Sequence, residues 1–191
     1  MVIKLTIRDG QKKFTNMLMN PRLFVLPREE VVACGLQALT YGSLTTKGLA
    51  SVVDSINRQL HSEHIQGFDL GCGDGELIWH LAAALPGSTW SGVEISESRV
   101  AAQTRDVSIW QGDMLAENFH GYNLLHADNL CLEDAVADQL EQKIVNEFNG
   151  LYISYREPEN IEFLRRAILL EKVKTETTWS DCVLRYYWIQ R

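Results

Sequence analysis

The chain has 191 residues, is 46% hydrophobic and carries a net charge of −7. That length and apolar content suit one well-filled core and argue against two domains of ordinary size. The charge is uneven, +4 over residues 1–60, −12 over 61–150 and +1 over 151–191, so the acidic middle repels a phosphate backbone and direct nucleic-acid binding is expected to be weak or absent, with a modest basic patch of Lys4, Arg8, Lys12, Lys13, Arg22 and Arg28 as its only foothold.

In chain order, Val2 to Ile7 reads as a short strand, Asp9-Gly10 as a turn, and two helical stretches follow, interrupted around Pro21 and Pro27. From Thr46 the pattern sharpens, because Leu49, Val52, Val53, Ile56 and Leu60 recur at helical spacing ahead of a strand at Gly67 to Leu70. After a glycine-rich loop, Leu77, Ile78, Leu81, Ala82 and Leu85 mark a helix that Pro86-Gly87 ends. A strand at Trp90 to Ile95, a short helix at Glu97 to Gln103 and strands at Val107 to Trp110 and Tyr122 to Ala127 come next. Leu132, Val136, Leu140, Ile144 and Phe148 step along a further helix before a strand at Leu151 to Tyr155. This alternation predicts a parallel sheet covered by helices on both faces, since each parallel strand needs a crossover. The end differs: Glu171 to Thr178 and Cys182 to Gln190 read as strands joined tightly through Trp179-Ser180-Asp181, an antiparallel hairpin with no room for a helix between them.

Cys34, Cys72, Cys131 and Cys182 lie far apart without a C-x-x-C pair, which speaks against a zinc knuckle or a disulfide scaffold. No metal is expected. The first residues, MVIKLTIRDG, lack a signal-peptide pattern and no apolar run is long enough to span a bilayer. An intracellular protein without membrane association is the expectation.

The loop Asp69-Leu70-Gly71-Cys72-Gly73-Asp74-Gly75-Glu76 sits between strand and helix, where glycines at alternate positions let a ligand approach the backbone. Alone this is a weak signal, since a tight strand-to-helix connection with no ligand is the alternative. Two further acids sharpen it: Glu94 ends the second strand of the unit, where a carboxylate can take both ribose hydroxyls, and Asp113 in Gly112-Asp113-Met114 follows the third, where it can accept from an adenine amino group with Met114 against the ring. The loop reads G-x-G-x-G, unlike the G-x-G-x-x-G of nicotinamide sites, and Asp69 and Glu76 would repel a pyrophosphate. They suit the ammonium and sulfonium charges of S-adenosylmethionine. This combination resembles the class I S-adenosylmethionine-dependent methyltransferases, which implies an α/β, Rossmann-like fold with a mostly parallel seven-stranded sheet and a C-terminal antiparallel hairpin.

A base-methylating motif is absent after the fourth strand, where His126-Ala127-Asp128-Asn129-Leu130-Cys131-Leu132 contains no proline. Over about residues 40 to 189 the chain is similar to the non-SET histone lysine methyltransferases of the disruptor-of-telomeric-silencing type. The likeness rests on Tyr41-Gly42, the DLGCGDGE loop, Gly92-Val93-Glu94, Gly112-Asp113-Met114, Asp128-Asn129-Leu130-Cys131-Leu132, Thr178-Trp179-Ser180 and Tyr186-Tyr187. Departures are Glu76 for glutamine, Met114 for phenylalanine, Asp128 for asparagine, and Leu130 and Leu132 for phenylalanines; the chain is also expected to be short of the longer N-terminal helical region and the strongly basic extension that engage nucleosomal DNA. The resemblance implies residues 1–45 as an N-terminal segment ending in an entry loop and 46–191 as the cofactor-binding domain. It also implies that Tyr41, Gly42, Asp69, Gly71, Gly73, Glu76, Glu94, Asp113, Met114 and Asn129 hold the cofactor, that Asn129 orients its methionine end or the incoming amine, and that Trp179 and Tyr186 wall a lysine channel. Core packing is the alternative for the two aromatics, and a turn or cap role for Asn129.

The implied activity is methyl transfer to a protein lysine, with a core histone or nucleosome as the candidate partner and the nucleus as the location in that case, otherwise the cytoplasm. A methyltransferase of a small molecule or another protein, and a cofactor-binding pseudoenzyme subunit, are the competing readings. His61 and His64 read as surface residues, and His126 as either a proton relay or a residue facing solvent or packed beside the sheet.

Overall fold

The computed structural model describes residues 2–4, 20–62 and 64–190. The far end of the expected first strand, the Asp9-Gly10 turn and the helical stretch ahead of Pro21 lie outside the described residues. Strand β1 (Val2–Lys4) pairs antiparallel with β2 (Val25–Pro27), after a 3-10 turn over Pro21–Phe24 that Asn20 caps. Helix α1 (Arg28–Cys34) follows and stops at Gly35. Around Pro21 and Pro27 the described chain is therefore a turn, a strand and one short helix. Proline opens the turn as its first residue and holds Leu26 in extended backbone.

The main body runs α2 (Thr46–Gln59), β3 (Gln66–Leu70), α3 (Glu76–Ala84), β4 (Thr89–Glu94), α4 (Glu97–Ala101), β5 (Ser108–Gln111), β6 (Leu124–Ala127), α5 (Asp134–Glu147), β7 (Gly150–Ser154), α6 (Ile161–Arg166), β8 (Ala167–Glu176) and β9 (Asp181–Ile189). In space the strands lie in the order β5-β4-β3-β6-β7-β9-β8. Strands β3 to β7 are mutually parallel, and β9 slots antiparallel between β7 and β8. This is the mostly parallel seven-stranded sheet with a C-terminal antiparallel hairpin that the sequence pattern predicts, a Rossmann-like architecture. Helix α6 is the addition: six residues are too few to show a period, and its start is held by Asn160, which accepts the Phe163 N–H at 2.9 Å, and by buried Glu141, which accepts the Glu159 and Asn160 N–H groups. Strand β8 consequently begins at Ala167, ahead of the expected Glu171.

Side chains alternate across the sheet, as strand geometry requires. Leu124, Leu151, Ile153, Leu184 and Tyr186 join α2 and α3 in one core; Leu125, Tyr152, Tyr187 and Ile189 join α5 and α6 in the other. Tyr186 is therefore a core residue. Its ring lies fully buried on the α2 face, close to Ser55, and does not reach the cleft described below.

Asn129 also belongs to the framework. Just past β6, its Oδ1 accepts the N–H groups of Tyr155 at 2.9 Å and Arg156 at 3.1 Å, while its Nδ2 donates to Tyr152 Oη at 3.1 Å and Ser154 Oγ at 2.9 Å. The amide is saturated by the end of β7, which leaves nothing to orient a cofactor or an amine and corrects the role the resemblance implies. Asn129→Ala is expected to cost about 2 to 4 kcal/mol of unfolding free energy by stranding these buried groups, measured by urea denaturation; unchanged stability would show the amide to be dispensable to the fold.

Candidate functional site

The chain winds outward from β3 in both directions, so the carboxyl ends of β3 and β6 diverge and leave a crevice, the place where such sheets bind ligands. A cleft of about 210 Å3 occupies it, with Leu70 and Gly71 from the β3 end, Glu94 from β4, Gly112, Asp113 and Met114 beyond β5, and Asp128 beyond β6. Its roof is the segment from Cys34 to Gly42, including Tyr41. Gly71 has φ of 90°, a left-handed conformation, and a Cβ there would find no atom within 4 Å, so a side chain would project into open cleft. The loop is fastened from behind by the Gly71 and Cys72 N–H groups, which donate to Val93 O at 2.8 and 3.0 Å.

Glu94 is buried, its Oε2 accepting the Gly73 N–H and its Oε1 the Ser96 N–H, each at 2.9 Å. Burial pushes its pKa up, against Arg99 and those two N–H donors. Arg99 was not singled out by the sequence and is a buried hub: it donates to Leu23 O at 3.3 Å and Leu39 O at 2.5 Å, lies 3.7 Å from Glu94 and sits 4.8 Å over the Tyr41 ring. It ties the roof to the cleft's acid. Glu30 adds a second tie by accepting from Ser98 N and Oγ. Nothing in an arginine on a five-residue helix signals such a role from sequence.

Of the expected cofactor ligands, Tyr41, Gly42, Gly71, Glu94, Asp113 and Met114 share the cleft. Gly73 stands behind it as the donor to Glu94. Asp113 is exposed at the rim, with Oδ1 accepting the Leu115 N–H at 2.9 Å. Glu76 is turned away: both of its oxygens take Arg105 at 2.9 Å, and His80 Nε2 is 3.2 Å from Oε1, so its charge is spent on α3 and the surface.

Asp69 lies beside the cleft, lining a small hollow of about 20 Å3 together with Tyr41, Gly42, His126, Asp128 and Tyr155. His126 is buried, which overturns the solvent-facing reading, and its Nδ1 lies 2.7 Å from Asp69 Oδ1. Its Nε2 is 3.2 Å from Tyr155 Oη. Burial disfavours the imidazolium, but the Asp69 and Asp128 carboxylates prevail and hold the His126 pKa above its ordinary value. Asp128 is pushed by burial up to about 6, with His126 and the Leu130 N–H opposing. Tyr155 sits one residue past the end of β7, and only the register of β6 against β7 brings it to the site.

A further pocket of about 190 Å3 adjoins, walled by Thr40, Tyr41, Gly42, Asp128, Leu130, Cys131 and Trp179. Trp179 covers Gly42 so closely that a Cβ at that position would enter its ring, and it lies 6.3 Å from the Tyr155 ring. Of the two aromatics named from the resemblance, Trp179 lines this pocket and Tyr186 does not; Tyr155, which lines the neighbouring hollow, is the aromatic beside Trp179. The arrangement offers a chamber for a flat, polar-edged ligand, a polar junction, and an aromatic pocket with a carboxylate at its wall. Among the described residues no His, Cys, Asp and Glu cluster is arranged to hold a metal ion.

The sequence matches no family model and no curated protein. Solved structures match the fold. Magnesium protoporphyrin IX methyltransferase from Synechocystis PCC 6803 with bound SAM is 15% identical, with a TM-score of 0.56 over 74% of this chain and 78% of that one. An S-adenosylmethionine-dependent methyltransferase from Clostridium acetobutylicum is 10% identical, with a TM-score of 0.56 over 76% and 92%. Mitomycin 7-O-methyltransferase is 11% identical, with a TM-score of 0.52 over 75% of this chain and 53% of that one. At these identities the likeness is one of fold: the chain has the architecture of S-adenosylmethionine-dependent methyltransferases.

Proposed function

We propose that this chain is an S-adenosylmethionine-dependent methyltransferase acting on an amine. The observation that carries the reading is the cleft at the carboxyl ends of β3, β4 and β5, which combines the open Gly71, buried Glu94, and Asp113 with Met114, next to a separate aromatic pocket bearing Asp128. The residues fit the cofactor: Glu94 keeps lone pairs for ribose hydroxyls, Asp113 and Met114 suit an adenine edge and face, and the open side of Gly71 admits close backbone approach. When bound, S-adenosylmethionine supplies a methyl group activated by its sulfonium. Similarity of fold to structures that carry SAM supports the same choice.

The protein's part is to position the acceptor, exclude water and keep the acceptor nitrogen neutral. Trp179 offers an aromatic wall to a cation, and Asp128 supplies the opposite charge, a pairing that selects amines over phenols or acids. A protein lysine, with a histone among the candidates, is the reading carried from the sequence resemblance, and its flexible stem suits a pocket rimmed by half-exposed Trp179. A small-molecule amine is the second reading, favoured because Asn129 and Tyr186, which the lysine resemblance enlists, are built into the framework. Labelled cofactor offered to histones, free peptides and a metabolite extract separates them: label on a lysine supports the first, label only among metabolites the second, and binding without transfer a pseudoenzyme.

Calorimetry with S-adenosylmethionine should show Asp113→Ala binding more weakly by about 1 to 3 kcal/mol, the cost of leaving a polar partner unmet; wild-type affinity would remove Asp113 from the adenine site. Asp128 gives a pH prediction. Its folded pKa of about 6 stands above its ordinary value, so its ionisation costs the folded state stability as pH rises from the usual carboxylate range through about 6. Asp128→Asn should therefore stabilise the unliganded protein above pH about 6, on the order of 1 to 2 kcal/mol, while raising the KM for a cationic acceptor. Equal melting temperatures at pH 5 and pH 8, each variant against wild type, would contradict it.

A further inference from the structure

Three titratable side chains end three neighbouring strands on the same face of the sheet. Asp69 and His126 are partners in the parallel register of β3 and β6, and Tyr155 follows β7, whose Ile153 is the register partner of His126. They form one line, Asp69 Oδ1 to His126 Nδ1 at 2.7 Å and His126 Nε2 to Tyr155 Oη at 3.2 Å, and all three are buried. The line ends at the small hollow, whose lining residues Tyr41, Gly42 and Asp128 also line both the cofactor cleft and the aromatic pocket. The hollow is the junction of the two.

We propose that Tyr155, His126 and Asp69 form a proton relay that neutralises the acceptor amine before methyl transfer. This rests on the amine reading above. A carboxylate on Nδ1 fixes the neutral imidazole with its proton there, which leaves Nε2 to accept the Tyr155 O–H. Tyr155 Oη then turns its lone pairs to the hollow. An acceptor R–NH3+ gives a proton to Tyr155 Oη as the tyrosine's own proton passes to His126 Nε2, and the imidazolium is stabilised by Asp69. The freed nitrogen pair forms the new N–C bond, the S–CH3 bond breaks with its electron pair going to sulfur, and the products are R–NH2–CH3+ and S-adenosylhomocysteine. His126 afterwards releases the proton to solvent, so one proton leaves per turnover. Burial keeps the Tyr155 phenol well above its ordinary pKa, so a free tyrosinate is disfavoured and the two transfers occur together. The groups facing His126 are Asp69 from β3, Asp128 from beyond β6 and Tyr155 from beyond β7, with Tyr41 and Cys72 across the hollow.

Tyr155 would touch the acceptor and is the catalytic member; His126 and Asp69 act through it. The pH dependence has a definite sign: below the His126 pKa the imidazolium blocks the relay, so turnover rises as pH passes upward through it. The test has one arm on the protein alone and one on turnover. NMR of the protein with 15N-labelled histidine should find neutral His126 protonated at Nδ1, with Tyr155→Phe shifting the Nε2 resonance and the His126 titration; the Nε2–H tautomer overturns the relay whatever the acceptor is. In single-turnover transfer to an amine, Tyr155→Phe should fall by about 100-fold on the alkaline side of the His126 titration, where the relay is open, with unchanged cofactor affinity. That deficit should shrink as pH passes above about 10.4, the ordinary amine pKa, where most of the acceptor is already neutral. A deficit equal at every pH, or none, overturns it. Transfer to other nucleophiles and to no amine would refute the amine reading, and the tautomer would still decide the relay's geometry.

Discussion

The parallel pairing of β3 with β6 is the constraint on which the site depends. These strands are neighbours in space and separated in the chain by β4 and β5, so the winding reverses between them and their carboxyl ends cannot be covered by one crossover. The candidate site hangs from this gap. The glycine loop leaves β3, Glu94 and Asp113 follow on one side, and Asp128 and Tyr155 lie on the other. The antiparallel β9 then seals β7, and the turn ahead of it carries Trp179 back over Gly42.

A gap of this kind concentrates buried acids, and the protein answers with donors. Asp69 has His126, Glu94 has two N–H groups and Arg99, and Glu141 has two N–H groups at the start of α6. Asp128 is the least provided for: the Leu130 N–H and the nearby His126 offset only part of its burial, and its pKa rises to about 6. An acid left short of partners in an unliganded pocket is poised for a cation from outside, because a ligand charge lowers the cost of ionising it. The same deficit lowers the stability of the fold, a trade common to binding sites.

The fold was legible because each parallel strand and its helix carry their own period, from Leu49 to Ile56 in α2 and from Val136 to Ile144 in α5. Half of the site was legible for a similar reason: the glycine loop, Glu94 and Asp113 sit at fixed offsets from strand ends. What could not be read depends on contacts distant in sequence. Arg99 reaches residues 23 and 39, and Tyr155 reaches His126 through strand register, neither of which leaves a local mark. Glu76 looked like a ligand because it follows the loop, but an arginine twenty-nine positions on claims it.

Asp128 and Asn129 show why a matched motif does not transfer role by role. They are adjacent at the end of β6, and successive side chains at a strand end point to opposite sides. Asp128 therefore enters the pocket while Asn129 turns to β7, where backbone N–H groups of Tyr155 and Arg156 would otherwise be stranded. Those two bonds fix the chain where it leaves β7, and so fix the residue that carries the phenol. An amide in the framework thus sets the position of a hydroxyl beside the cleft: Asn129 places Tyr155, at the one point where its own side chain has no capacity left for a ligand.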